Sequence, residues 1–327
     1  MTIALPVRIK TMVPGYRAKW RKQCRAMIDE IAKLWPRLRC GEEGGTPWIE
    51  VDGEVRLYGF ATEAANREIH HILRADLPPD LPATHFRLVK DCLTRFVYPH
   101  LRPDLKPAPY PTEGLFGFHG QHKDAIADLP DPVARARLTA AFLPKVDDVI
   151  VDCGCFLGFG ELRLAPDLPR GHMYAVEADR KCHALLVRNL AANGAENVTP
   201  VHRAAWNEVT EMALETSFAQ GNSLIAEVHK GSATESVQTI TVDGLVAEHG
   251  VTKLDMLSLT LNGAEVETLD GAIEALATLR PRIRLAGWYS RGERKIWQIT
   301  KQQLEAYDYD VYVGHRGNLM ALPKELS

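Results

Sequence analysis

The chain has 327 residues, with 39 Lys+Arg against 42 Asp+Glu, a formal charge of −3, 46 % apolar and 25 % charged residues. This is globular composition, which excludes disordered, collagen-like and low-complexity chains. The near-neutral balance argues against a dedicated nucleic-acid binder.

The charge is uneven along the chain. Residues 1–40 hold ten basic and two acidic residues, which leaves −11 on the remainder. Such a basic arm suits a membrane surface, an acidic partner or a polyanionic substrate, and equally the solvated face of a helix. Cys24, Cys40, Cys92, Cys153, Cys155 and Cys182 form no C-x-x-C pair. Zinc is therefore not expected, and free thiols in a reducing cytoplasm are. No apolar run of about 18 residues predicts a membrane span, and the apolar run near the start is too short for a secretory signal.

In chain order, residues 1–107 read as a mainly helical unit with one hairpin. Trp20, Cys24, Met27, Ile28, Ile31, Leu34, Trp35 and Leu38 recur at helical spacing. Asp52-Gly53 lies between β-branched runs and predicts a tight hairpin turn near 48–58. Helices are expected at 61–76 and 84–99. Four prolines in 103–111 mark a linker or extended strap, and a loop rich in glycine and histidine follows at 112–122.

After a helix at about 131–142 the pattern becomes strand–helix alternation. Strands are predicted at 149–153, 172–177, 198–205, 254–261 and 282–288. Helices are predicted at 180–193, 264–277 and 292–306, with Asp179 as an N-cap and Gly194 as a stop. Two short strands, YDVYV and NLMAL, close the chain. Alternation predicts parallel pairing, and the closing hairpin an antiparallel edge. The expectation is an α/β, doubly wound, mostly parallel sheet over 108–327, with its ligand at the strand C-termini.

The first strand of this unit ends in Asp152-Cys-Gly154-Cys155-Phe156-Leu-Gly158, and the second in Glu177-Ala178-Asp179. The glycines let a ligand approach the backbone closely. An acidic residue at the end of the second strand typically takes the ribose hydroxyls of a nucleoside. The turn is D-x-G-x-x-x-G and not the G-x-G-x-x-G of a dinucleotide site. It lacks a pyrophosphate cradle, which favours S-adenosylmethionine (SAM) over NAD.

These residues resemble the FkbM family of SAM-dependent methyltransferases, from about Val149 to Ala272. VDCGCFLGFGELRL is similar to the family's first motif. AVEADRKCHALLVRNLAANGAENVTPVHRAAWN is similar to its acidic strand, long helix, third strand and adenine-side turn. TITVDGLVAEHGVTKLDMLSL followed by NGAEVETLDGA is similar to its fourth-strand segment. The resemblance implies a class I SAM-methyltransferase fold and methyl transfer to an oxygen, often on a sugar or other natural product. It implies a cofactor site of Asp152, Gly154, Cys155, Phe156, Gly158, Glu177, Ala178, Trp206 and Asn207. Trp206 would stack on adenine and Asn207 bond its amino group.

The family's K-x-D-x-E-G is here Ser258-Leu-Thr260-Leu-Asn262-Gly263, so three charged positions are neutral. Either the base lies elsewhere, the reaction needs none, or the protein holds a nucleoside or partner without catalysis. The candidate catalytic residues are His119, Thr260, Asn262 and Glu265, with His119, beside His122, as a base near neutral pH. Tyr289-Ser-Arg-Gly-Glu-Arg-Lys fits either an anionic acceptor or a solvated helix start. The resulting expectation is a cytoplasmic O-methyltransferase that uses SAM, takes a small-molecule or glycan acceptor and needs no metal. The N-terminal unit would cover the cleft, choose the acceptor or form a homodimer. An NAD-dependent oxidoreductase or epimerase is the more distant alternative.

Overall fold

In the computed structural model the described residues are 32, 35–61, 77–85, 87–89, 125–126, 128–216, 221–225, 233–315 and 317–326. The chain divides into two compact units, Met1–Leu101 and Arg102–Ser327.

In the first unit, β1 (Leu38–Glu43), β2 (Thr46–Val51) and β3 (Val55–Tyr58) form an antiparallel sheet. The predicted hairpin turn is present. Asp52 and Gly53 have φ of 54° and 78°, the left-handed region that an Asp-Gly pair tolerates, and Glu54 N donates to Val51 O at 3.0 Å. Trp35 and Leu38, expected on one helix face, do something else. Trp35–Arg37 is a 3-10 turn and Leu38 opens β1. Pairing along six residues of β2 outweighs the helical spacing there. The helix expected at 61–76, most of that at 84–99, the proline strap and the loop at 112–122 lie outside the described residues, as does nearly all of the helical run before Trp35.

The second unit contains α1 (Pro132–Ala141), capped by Asp131, whose carboxylate accepts from Val133 N and Ala134 N. It continues with β4 (Val149–Cys153), α2 (Phe159–Leu164), β5 (His172–Val176), α3 (Arg180–Ala192) and β6 (Val198–Val201). Asp179 caps α3 by accepting from Cys182 N at 2.7 Å, and Gly194 stops it at φ 61°, as expected.

The strand predicted over 198–205 breaks at His202–Arg203 into β6 and β7 (Ala204–Ala205). The second piece joins another sheet, with β8 (Glu211–Glu215) and β9 (Thr234–Ile240) in the order β7-β9-β8. These two strands and α4 (Val242–Glu248) were not expected. Thr241 starts α4 by accepting from Gly244 N at 2.8 Å.

Next come β10 (Met256–Leu259), α5 (Glu265–Asp270) and β11 (Arg282–Ala286). The helix expected over 264–277 ends at Asp270 and resumes as a π-helical turn, Ala275–Leu279. Gly271 lies tight against Trp206 O, and Asp243 starts the new turn by accepting from Glu274 N and Ala275 N. The helix expected from 292 begins later. A small hairpin of β12 (Ser290–Arg291) and β13 (Arg294–Lys295) precedes α6 (Ile296–Glu305), and β14 (Tyr309–Val313) and β15 (Asn318–Pro323) close the chain.

The main sheet has the order β14-β15-β11-β10-β4-β5-β6. It is parallel from β11 to β6, and β15 runs antiparallel to both its neighbours. This is the expected doubly wound sheet with its antiparallel edge. One face buries Val151, Cys153, Leu257, Leu259, Ile283 and Leu285 against α4, α5 and α6. By strand alternation Asp152, Ser258, Arg282 and Arg284 point to the other face.

At the N-terminal end of that other face Arg282, 4 % exposed, pairs with Asp148, 0 % exposed, at 2.5 Å. Arg282 also donates to Ala141 O (2.6 Å), Leu143 O (3.2 Å) and Asp255 O (2.9 Å). One guanidinium thus satisfies the end of α1 and the start of two strands. Removing its partner leaves a buried cation uncompensated. Asp148→Ala is expected to lower the unfolding free energy by about 3–5 kcal/mol in urea titration, and Asp148→Ala with Arg282→Met by clearly less.

Candidate active site

The C-terminal end of β4 forms the floor of the site. Gly154 N donates to Val176 O at 2.9 Å on one side, and Thr260 N donates to Cys153 O at 2.9 Å on the other. Gly154 has φ 90°, and a Cβ there would stand 2.1 Å from Thr260 O. Only glycine lets β4 and β10 come this close. Gly158, at φ 76°, starts α2, and a Cβ there would meet Leu186 at 2.4 Å. Asn189 of α3 steadies the turn by donating to Leu157 O at 2.8 Å.

Glu177 stands at the end of β5, half-buried. Its carboxylate accepts from Phe156 N at 2.8 Å and from Asp179 N at 2.9 Å. Phe156 has φ 59°, and this bond helps hold it there. Burial pushes the carboxyl up to about 8 against the pull of these amides. Each carboxylate oxygen keeps a second lone pair for another donor, so the residues fit a ribose diol at this strand end.

Glu265, at the start of α5, repeats the arrangement beyond β10, two strands away. It is 0 % exposed, and its carboxylate accepts from Leu261 N at 2.8 Å and Gly263 N at 2.9 Å. Burial pushes it up to about 7. Both carboxyls start from an ordinary 4.5. Their contribution to stability is therefore full below about 4.5 and is lost as pH rises through 7 to 8.

Between the two strand ends runs Asn222–Ser223, a contact that the sequence did not announce. Asn222 Nδ2 donates to Asp179 at 2.9 Å, and Asn262 Nδ2 donates to Asn222 O at 2.9 Å. Ser223 Oγ donates to Asn262 O at 2.8 Å, and Tyr289 OH to Asn262 Oδ1 at 3.1 Å. Asn262 has φ 52°, a conformation asparagine tolerates well. It is a junction and not a helix cap. Thr260 Oγ1 is buried beside it without a hydrogen-bond partner.

Other expected residues are placed differently. Asp152 is 1 % exposed and lies under the turn, against Glu161 and Arg284. Cys155 and Phe156 are buried in the turn, and burial first, then Glu161 and Glu177, pushes the Cys155 thiol well up. Ala178 packs on Ala204, Leu214 and Val237. Trp206 N donates to Ile240 O at 2.9 Å, which puts Trp206 and exposed Asn207 where β7, β9 and α5 meet. His119 and His122 lie outside the described residues. The cations after β11 serve internal contacts. Arg291 pairs with Glu267, Arg294 donates to Gln302 at 2.8 Å and Lys295 to Trp288 O at 3.0 Å.

Residues 154–315 match the Methyltransferase FkbM domain. The chain carries an FkbM methyltransferase domain. It is by that domain a methyltransferase, with SAM as its cofactor. Among solved structures the chain is similar to methyltransferase FkbM from Methylobacillus flagellatus KT. The identity is 13 %, over 80 % of this chain and 71 % of that one, with a TM-score of 0.42. It is similar to precorrin-6y C5,15-methyltransferase from Geobacter metallireducens GS-15 at 15 % identity, over 59 % and 88 %, TM-score 0.35. It is also similar to Aeropyrum pernix fibrillarin with natively bound S-adenosyl-L-methionine at 15 % identity, over 61 % and 75 %, TM-score 0.35. No curated protein matches the chain. Among the described residues no helix is long and apolar enough to cross a membrane.

Asn262→Asp, which puts an acid where the FkbM pattern carries Glu, tests the junction. It replaces the donor to Asn222 O with an acceptor. The expected result is a loss of about 1–3 kcal/mol in urea unfolding, with no gain in methyl transfer.

Proposed function

We propose that this FkbM methyltransferase methylates a hydroxyl oxygen on a sugar or another natural-product-like acceptor, a small molecule or a glycan, in the cytoplasm. The observation that carries the reading is the neutral, polar end of β10. Thr260, Asn262 and the Tyr289 hydroxyl stand there, while the Glu265 carboxylate is withdrawn onto backbone amides. Such a wall hydrogen-bonds an uncharged polyol without leaving a buried charge unpaired.

When bound, SAM supplies a methyl group on a sulfonium. The acceptor oxygen would take that methyl group in exchange for its hydroxyl proton, with S-adenosylhomocysteine (SAH) as the other product. The acceptor's hydroxyl proton needs a base, and His119, which precedes β4 in the sequence, is the proposed one. Thr260 and Asn262 position the acceptor, and Glu177 takes the ribose hydroxyls. Gly154 and Gly158 admit the cofactor to the backbone. The free thiols Cys40, Cys153, Cys155 and Cys182 suit a reducing compartment.

Calorimetric titration with SAM, SAH and NAD tests the cofactor side. SAM and SAH are expected to bind, and Glu177→Ala to weaken both about tenfold or more. The ribose hydroxyls donate to the ionised carboxyl, so affinity is expected to fall as pH drops below about 8, by up to roughly tenfold per unit. Glu177→Gln should flatten that dependence. Binding of NAD without SAM or SAH would sink the reading. SAH release across a panel of sugars and phenols identifies the acceptor, and none from any of them counts against O-methylation.

A further inference from the structure

Under the glycine turn lies a group of charged side chains that contacts neither Glu177 nor Asn262 in the hydrogen bonds described above. Asp152, Ser258 and Arg284 stand side by side on β4, β10 and β11, in direct register. They are 1 %, 0 % and 2 % exposed. Arg284 reaches sideways over β10, with Nε and Nη2 donating to Ser258 Oγ at 3.1 and 2.9 Å. Its Nη2 then stands 4.0 Å from Asp152 Oδ1. Glu161 of α2, 0 % exposed, lies against the Asp152 carboxyl from above.

Among the described residues, none of the four carboxyl oxygens of Asp152 and Glu161 has a hydrogen-bond partner. Two carboxyls in contact cannot both be ionised without a large cost. Burial first, and then Asp152, pushes Glu161 well above the usual carboxylate range, so it keeps its proton. The Arg284 guanidinium faces the Asp152 carboxyl across 4.0 Å. A buried ion pair of this kind adds little stability over well-packed apolar residues, so stability alone does not account for it. What it can do is fix a position. Asp152 is two residues before Gly154, and Cys153 and Gly154 carry the bonds that tie β4 to β10 and β5.

We propose that Arg284 is a positioning residue for the cofactor turn. It supplies beside Asp152, from β11, the cation that the FkbM pattern carries on β10 at position 258, and so holds the turn Gly154–Gly158 in its cofactor-binding geometry. The inference rests on the reading of that turn as the SAM site. Ser258 is the short side chain that leaves room for the guanidinium, and its hydroxyl orients it. Glu161, kept neutral, adds no second negative charge beside Asp152 from the helix side.

The test uses the full chain and SAH. Arg284→Met, Ser258→Lys with Arg284→Met, and Arg284→Lys are compared with wild type by calorimetry, at a temperature where circular dichroism finds each folded. Arg284→Met is expected to weaken SAH about tenfold or more. The double variant, with its cation back on β10, should return to within about threefold of wild type. A merely structural role would lower the melting temperature and leave SAH affinity of the folded protein unchanged. That result overturns the proposal, as does a folded double variant that binds no better than Arg284→Met.

If Arg284→Met does not fold, the double variant decides alone, by whether it folds and binds within threefold. If that fails to fold too, Arg284→Lys decides by the same threefold criterion, and a folded Arg284→Lys with a tenfold loss overturns the proposal. Loss of fold in all three assigns the group to stability and overturns it as well. Wild-type protein that binds no SAH refutes the SAM site itself, and this inference falls with it. Wild-type binding that Arg284→Met leaves intact refutes only the role of Arg284.

Discussion

Everything at the active end depends on how β4 leaves its sheet. A parallel strand that stops inside a sheet leaves amides and carbonyls that must be paired. Here the pairing is done by the neighbours on both sides, Val176 O for Gly154 N and Thr260 N for Cys153 O. The two strand ends can approach this closely because Gly154 has no Cβ to strike Thr260 O. Once that closure is made, Phe156 and Asp179 present their amides to one carboxylate, Glu177, and the cofactor end of the cleft is defined. Leu261 and Gly263 do the same for Glu265 on the other side of β4.

The two glutamates share geometry and differ in access. Glu177 keeps part of its surface at the mouth of the cleft, so its remaining lone pairs can meet a ligand. Glu265 keeps none, and its carboxylate shapes the backbone from Leu261 to Gly263. The acceptor side is accordingly made of hydroxyls and amides. Charge is present close by, but beneath the turn, where Asp152, Glu161 and Arg284 lie out of contact with solvent.

Much of this was legible in the sequence, for definite reasons. Period and punctuation gave the seven-stranded sheet, the Asp179 cap, the Gly194 stop and the Asp52-Gly53 turn, because each is a local preference that tertiary structure did not override. The family pattern then matched over 154–315. Local reading failed where a partner distant in sequence decides. The break at His202–Arg203 serves a second sheet built with β8 and β9. The early end of α5 follows from Gly271 against Trp206 O. Asn222 and Ser223 sit in a stretch of no periodic pattern, and their role exists only through Asp179 and Asn262. Arg284 did leave a trace: Arg282 and Arg284 alternate in an otherwise apolar strand, and charged residues placed there need buried partners. The sequence did not say which ones.

The Asn222–Ser223 crossing has a kinetic side. Three of its hydrogen bonds, to Asp179 and to both ends of the Asn262 contact, span the gap between the β5 and β10 ends, and Ser223 also pairs with Glu215 through its backbone. At about 1 kcal/mol each, these three alone resist lifting the segment by roughly 3 kcal/mol, which limits the open population to at most on the order of one molecule in a hundred. Any ligand whose passage needs that opening would find the protein ready only in brief intervals, and would leave as seldom. Slow exchange at unchanged affinity would then be a property of the empty protein, written into an asparagine and a serine that never touch the transferred methyl group.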